Sequence, residues 1–483
     1  MQKTFLSNLT LLLALNLLIK PSYLLFVEAE VQNRVGAEVF GNYTALLSLS
    51  FLLNIFLDLG INTYTSRTVA QNQSIVAKHL ENVLGLRLLL FGGYMILLIA
   101  SALVLSYRGE DIQMIYWLGF NQLLAGSLIF VRSNLSGMML FKKDAIISVL
   151  DRGLLLIGLG ALLLAHNKGD FFDIYWLIYG QTFAYLGALL LSLFFLFRNT
   201  GKLKIKWQPL TQRAILKRSL PYALLVLLMM IYYKTDTIML ERMLDNGDFH
   251  AGIYAKAYRL FEASNMLGYL FATLLLPLFS VALKKREDVS PLVGNAFKIM
   301  IVGGAVLAGT SIIWPEFILG LLYDIEITET APVFTTLMIS FVFMLLTYLW
   351  GTLLTANGDM RTMNIIAVFA VVLNIVLNVI LIPTYQAWGS AVASLSTQIL
   401  VTVCQVIMCY RLIKLKLGAS LITRVIVFLA LLATLSYLIT IIPIGLEFKV
   451  LTYPVVGVLL AFAVGLLRLV DIRSIIQSRS KTR

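Results

Sequence analysis

Charge is scarce in this chain, and so are the residue patterns that build enzymes and metal centres. Asp, Glu, Lys and Arg make up only 13% of its 483 residues, against roughly a quarter in soluble domains. Its two cysteines, Cys404 and Cys409, share one apolar run with no His or Cys at ligand spacing, so no disulfide framework is implied. The three histidines, His79, His166 and His250, lie far apart between apolar runs and give no basis for a metal site. There is no Gly-x-x-x-x-Gly-Lys-[Ser/Thr] loop to cradle a nucleotide, so the chain hydrolyses no ATP of its own. No paired carboxylates and no Ser/His/Asp arrangement appear. The longest polar interval, residues 198–220, is too short to fold alone. No enzyme, no cofactor and no metal are expected.

What is abundant is apolar sequence. Hydrophobic residues make up 59% of the chain, gathered into about fourteen runs long enough to cross a bilayer. These lie at roughly 5–27, 41–61, 84–105, 114–138, 147–165, 174–197, 221–242, 256–283, 298–322, 332–356, 363–382, 389–410, 424–443 and 451–469. Lipid offers no water to the backbone, so only helices or closed barrels can span it. Runs of this length, apolar on all sides, predict helices and not the alternating segments of a barrel. The fold class is therefore an all-α polytopic membrane protein. The first run starts after Lys3, like a signal peptide. However, Val27-Glu28-Ala29-Glu30 lacks a small-x-small cleavage site, which predicts a retained first helix.

The net charge of +13 needs no nucleic acid, because its placement follows the positive-inside rule. With the N-terminus inside, 28 of the 38 Lys and Arg fall in cytoplasmic intervals and 7 in outside ones; the other three lie within spans. Both termini are expected in the cytoplasm. Residues 1–200 then form an N-terminal six-helix lobe, 201–220 a basic cytoplasmic linker and 221–412 a C-terminal six-helix lobe. Two added helices come next at 413–470, and a basic tail at 471–483. The linker, with Lys206, Arg213 and Lys217, reads as a topological connector or as a headgroup-binding amphipathic segment. The halves look related. Gly41-Asn42-Tyr43 enters the second span as Gly252-Ile253-Tyr254 enters the eighth, and Lys20 and Lys234 precede these tyrosines by 23 and 20 residues. Two lobes in the same orientation imply a pseudo-twofold along the membrane normal.

Charge inside an apolar span is costly and marks function by default. Lys20 lies in the first span, Arg132 deep in the fourth, and Lys234 in the seventh with Asp236 two residues on. Asp151-Arg152 opens the fifth span and Asp58 closes the second. Positions i and i+2 do not share a helix face, so Lys234 and Asp236 are not expected to pair. Arg132 has no acidic partner within a turn of its own helix. Each charge also has a structural alternative: snorkelling for Lys20, pairing elsewhere for Lys234, topology for Arg152 and helix capping for Asp58. The excess of cations suits an anionic ligand.

These residues resemble a known family. Gly36 to Tyr43, Phe56-Leu57-Asp58-Leu59-Gly60-Ile61, and Arg67 with Ala70-Gln71 are similar to the start of bacterial oligosaccharide flippases of the polysaccharide-transporter type. So are Lys234-Thr235-Asp236-Thr237-Ile238-Met239-Leu240 and Gly252 to Leu260 in the second half. That family, O-antigen flippases included, belongs to the multidrug/oligosaccharidyl-lipid/polysaccharide exporter superfamily. The resemblance implies a two-lobed, alternating-access transporter in the bacterial inner membrane. It would carry a polyprenyl-pyrophosphate-linked glycan to the outer leaflet. It further implies a cationic headgroup cavity at Lys20, Arg132, Lys234 and Arg152, with Asp236 a possible coupling residue. Monomeric function, alongside a polysaccharide polymerase or chain-length regulator, is part of the same implication.

The leading alternative is a cation-coupled multidrug antiporter of the same superfamily. A deep acid in the first helix would favour it, and Lys20 is the one charge the sequence places there. A facilitator-type transporter would carry a Gly-x-x-x-Asp-Arg-x-Gly-like loop between spans two and three, which residues 62–83 lack.

Overall fold

The computed structural model describes residues 14–62, 65, 76–138, 140–166, 171–201, 205–415 and 418–468. Among these residues every regular element is a helix, as an apolar backbone in lipid requires. The basic tail 471–483, linker residues 202–204, and Arg67 with Ala70-Gln71 lie outside the described residues. Eleven helical stretches are long and apolar enough to cross a membrane. Two of these, Ala14–Asp58 and Met360–Ile413, are 45 and 54 residues long, about twice the 20 or so that one crossing needs. Each turns at a single residue of positive φ, Gly36 (φ 82°) and Gln386 (φ 55°). With these two counted twice, and the 35-residue helix Pro209–Met243 added, the crossings match the fourteen expected.

The chain divides into two compact units, residues 1–255 and 256–483. The first unit opens with α1 (residues 14–22), a π-helical turn at Tyr23–Glu28, α2 (Ala29–Leu52) and α3 (Ile55–Asp58). It continues with α4 (Val76–Val104), α5 (Glu110–Gly137), α6 (Phe141–Ala165), α7 (Ile174–Thr200), α8 (Pro209–Met243) and the first turns of α9 (Gly247–Lys284). The first apolar run does not end at Val27. Its helix runs on to Gly36, whose ψ of 169° and positive φ make the corner into the second crossing. Pro21 supplies no amide, the Ser22 hydroxyl donates to Leu18 O at 2.6 Å, and the next turn widens to π geometry.

The motifs that carried the resemblance have structural work. Asp58 accepts from the Asn62 amide at 3.0 Å where the chain reverses through Leu59 (φ 45°) and Gly60 (φ 78°). It also lies 3.5 Å from Arg87, which is buried against Phe130 and donates to Asn62 Oδ1 and Gly126 O, both at 2.9 Å. Gly41 and Gly252 meet at a close crossing of α2 and the start of α9. A Cβ on Gly41 would strike the Asp248 carbonyl, and one on Gly252 the Ala37 carbonyl. Gln32 donates to Gly252 O across the same contact, at 2.9 Å. The end of the linker is tied to α4 by the Lys206 amide on Glu81 O at 3.0 Å and the Lys206 ammonium on Glu81 Oε2 at 2.5 Å.

The second unit holds the rest of α9, α10 (Ser290–Ile313), α11 (Pro315–Gly320), α12 (Ile327–Asn357), α13 (Met360–Ile413), α14 (Ala419–Ile441) and α15 (Leu446–Ala463). The last two helices pack on α10, with Phe428, Leu432 and Tyr453 against Ile301, Val302 and Val306. Lys256, counted from sequence among the outside cations, is instead a helical residue of 0% exposure. Its ammonium donates to Ile325 O at 2.8 Å and to the Glu326 carboxylate, and Tyr323 donates back to Lys256 O at 3.2 Å. Along α13 the buried polar side chains are uncharged: Asn374, Asn378, Thr397, Gln398, Thr402 and Gln405. Thr402 donates to Phe343 O and lies 3.0 Å from the Thr347 hydroxyl.

Candidate functional site

Inside the first unit, three of the four cations expected at the headgroup cavity come together. Lys20, half-buried on α1, has Arg132, Asp151, Arg152 and Asp144 as its electrostatic neighbours. Asn16, one turn before it, donates to Ser148 at 2.8 Å and fixes α1 against α6. Arg132 does have a partner, though not on its own helix. Its Nε donates to Asp144 Oδ1 at 2.8 Å, across the α5–α6 hairpin, with the two side chains 26% and 11% exposed. Partial exposure of an ion pair leaves guanidinium hydrogens for a third group.

Arg152 departs from its expected place. The helix begins at Phe141, so Asp151-Arg152 lies three turns inside α6 and not at its opening. The Arg152 guanidinium sits 3.7 Å from Asp151, 4.9 Å from the Tyr23 ring and 5.8 Å from the Tyr185 ring. Glu28 is within its electrostatic reach and only 4% exposed. Apolar run length sets Glu28 beyond the first helix; the structure puts a buried acid inside that helix. The Tyr23 hydroxyl is fully buried and lies beside Gln181. Gln181 and Tyr43 complete this pocket, joined at 2.8 Å.

Lys234 has a different setting. Its ammonium lies 5.2 Å from the Phe51 ring at the end of α2. Asp236, buried, accepts from the Tyr254 hydroxyl at 2.9 Å. No group of three or more His, Cys, Asp or Glu able to hold a metal occurs among the described residues.

Sequence reasoning missed Glu28, Asp144 and the pocket tyrosines. A signal for Asp144 was available: an acid twelve residues after a membrane arginine, across a short hairpin, is a natural ion-pair partner.

Residues 6–283 match the family described as polysaccharide biosynthesis protein, more than half of the chain. The chain belongs to that family. Residues 221–380 of this family member also match the MatE family. Its fold is shared with a lipid II flippase, MurJ, in an inward closed conformation: 16% identity, TM-score 0.73, covering 99% of this chain and 100% of that one. An inward-facing multidrug resistance MATE transporter of the MOP superfamily aligns at 15% identity and TM-score 0.58 over 82% of this chain and 96% of that one. A MOP-superfamily transporter from Pyrococcus furiosus, described as having a binding pocket of reverse polarity, aligns at 14% identity and TM-score 0.57, covering 84% and 94%. No curated protein matches the chain by sequence. The family read from the residues is thus the family found, and these structural relatives are membrane transporters.

Proposed function

We propose that this protein flips a polyprenyl-pyrophosphate-linked oligosaccharide from the cytoplasmic to the outer leaflet of a bacterial inner membrane, for surface polysaccharide assembly. The observation that carries the reading is the group Lys20, Arg132 and Arg152, gathered from three helices inside the first unit. A pyrophosphate is the natural ligand for such a group, because charge-assisted bonds from guanidinium to phosphate are about twice as strong as neutral ones. Lys234 is assigned to the same headgroup path on α8. In this reading both termini face the cytoplasm, and the protein works as a monomer beside a polymerase or chain-length regulator.

The chain has no nucleotide loop, so in this reading the drive is a membrane potential or an ion gradient, with the potential ranked first. An anion moving outward gains about 2.3 kcal/mol per charge per 100 mV when the outside is positive. Asp236, held by Tyr254, is the alternative coupling group, through exchange of a proton or Na⁺.

The test is flipping of a defined lipid-linked glycan in proteoliposomes. Arg132→Ala and Lys234→Ala should abolish it with normal insertion, and Arg132→Lys should keep part, because lysine lacks the planar fork. Wild-type rates in both alanine variants would remove the headgroup assignment. Flipping indifferent to an imposed potential but lost in Asp236→Asn would move the drive to that carboxylate.

The MatE match over 221–380 supports a second reading, a cation-coupled drug antiporter. Export of cationic dyes with no flipping of the glycan would favour it. Glu28, buried in the first helix, meets the expectation stated for that reading, whereas Lys20, Arg132 and Arg152 favour an anionic ligand.

A further inference from the structure

The basic linker has no part in a headgroup site inside the first unit, and its composition asks for one of its own. Residues 198–220 hold seven Lys and Arg and no Asp or Glu. Positive-inside topology accounts for the cations but not for apolar side chains among them. Ile205, Trp207 and Leu210 are 53%, 55% and 87% exposed. Three large apolar groups within six residues, outside every expected span, are costly in water and call for a cover.

The segment that shows them is a built elbow. The Lys206 amide and ammonium both hold Glu81, near the start of α4. Gln212 donates to Lys206 O at 3.2 Å and to Asn82 O at 3.4 Å. The fit is so close that a Cβ on Gly85 would strike the Lys206 carbonyl. Beyond Pro209 the first turns of α8 have two faces. Gln212, Ile215 and Ser219, spaced by three and four, are buried, and Ile215 packs in one core with Leu80 and Val83. Leu210, Arg213 and Lys217, with the same spacing, share the opposite, exposed face.

Height in the bilayer says what covers that face. Helix α8 has 35 residues, about 52 Å at 1.5 Å each, against a hydrocarbon core of about 30 Å. Its apolar run starts at 221, so residues 209–220 reach into the headgroup layer. Glu81 lies three residues before the apolar run of α4 and sets the elbow at the same level. At that depth a Trp ring and aliphatic side chains enter the acyl boundary, while Arg and Lys meet phosphates.

We propose that the elbow, residues 205–217, is a binding site for anionic phospholipid. Ile205, Trp207 and Leu210 hold the acyl boundary, and Arg213 and Lys217 take the phosphodiester. A zwitterionic lipid offers the same acyl contact, but its own cation offsets its phosphate, so the face selects net negative charge. Lys206 is committed to Glu81 and is not part of the set. In the proposed topology the lipid is that of the cytoplasmic leaflet. The site requires no transport and lies outside the headgroup path.

The probes are phosphatidylglycerol and phosphatidylcholine, each brominated high on the acyl chain, in nanodiscs holding the full-length protein. Bromine quenches tryptophan at contact, and the difference in emission between wild type and Trp207→Phe isolates Trp207. Its signal should be quenched more by the anionic lipid at equal mole fraction, and the preference should shrink in high salt. Arg213→Gln with Lys217→Gln should bring the two lipids close to parity, a loss of about fivefold for each charge removed. Lys284→Gln with Lys285→Gln, which removes basic charge from the second unit, should leave the preference unchanged. Should the elbow double variant fail to insert, its two single variants decide, each with about a fivefold loss. No quenching of Trp207 by either lipid overturns the inference. So does equal quenching in wild type, or an equal loss in the Lys284 and Lys285 variant, which would make the preference a property of general surface charge. Glycan flipping does not enter the readout, so the flippase reading stands or falls separately.

Discussion

Two buried polar clusters, one in each unit, are of opposite kinds. Around α6 the first unit encloses Lys20, Arg132, Asp144, Asp151, Arg152 and Glu28, all ionisable. Between α12 and α13 the second encloses amides and hydroxyls, and Thr347, Thr402 and Gln398 pair with one another's helices through neutral hydrogen bonds. Both are interiors of apolar helical bundles, so hydrophobicity does not separate them. The difference lies in cost. A neutral polar group in a membrane interior is tolerated once hydrogen-bonded, each bond being worth about 1 kcal/mol. A charge there costs several times more and is kept where it does something. The proposed headgroup site falls in the charged cluster, whereas the contact of α12 with α13 is held by packing and neutral bonds, and the second unit's buried Lys256 is matched by Glu326.

The sharpest way to break this contrast is transport. Arg132→Ala should abolish measurable flipping, a loss of at least about a hundredfold, since one or two charge-assisted bonds go with it. Gln398→Met, which replaces a neutral buried side chain by one of similar length, should stay within a few-fold of wild type. Equal losses in the two variants, measured in proteoliposomes at matched protein, would erase the distinction between the units.

A double-mutant cycle probes the same contrast as energy. Arg132 and Asp144 should be coupled by about 1–3 kcal/mol, less than a fully buried pair because both are partly exposed. Asp144→Ala should restore part of the thermal stability lost in Arg132→Ala, though not its transport. Thr347→Val with Thr402→Val should show a coupling below about 1 kcal/mol. Additivity at the charged pair would mean that it does not bind as a unit. The smallest effect expected is that of Thr402→Val alone, about 1 kcal/mol or a few degrees in Tm.

How much of this was visible in the residues depends on which interactions are local. The crossings were legible because apolar length is a property of consecutive residues. The corner at Gly36 was not, because Glu28, Glu30, Gln32, Asn33 and Arg34 compose like a loop, although the helix continues through them. Lys20, Arg132, Lys234 and Arg152 stood out as charges in apolar sequence. Their surroundings did not, since Asp144 meets Arg132 across a hairpin and the Tyr23 and Tyr185 rings reach Arg152 from other helices. Arg152 seemed to open its helix because Lys142 and Lys143 resemble an interface; the helix starts before both, at Phe141. The π turn had no signature beyond Pro21 and Ser22.

That turn also bears on how relatives of this chain should be aligned. A π turn holds one residue more than the α turn it replaces. Six residues at π pitch sweep about the same angle as five at the α pitch of about 100° each, so losing one residue between Tyr23 and Glu28 would restore ordinary pitch and leave Lys20 in the company of Arg132 and Arg152. The same loss within the α-helical turns that follow would rotate Lys20 by about 100° and carry it away from them, with no substitution anywhere in the protein. In this stretch a one-residue gap between two sequences is neutral or a change of charge in the cavity according to which side of Glu28 it falls on, and an alignment that slides it freely hides the difference that matters.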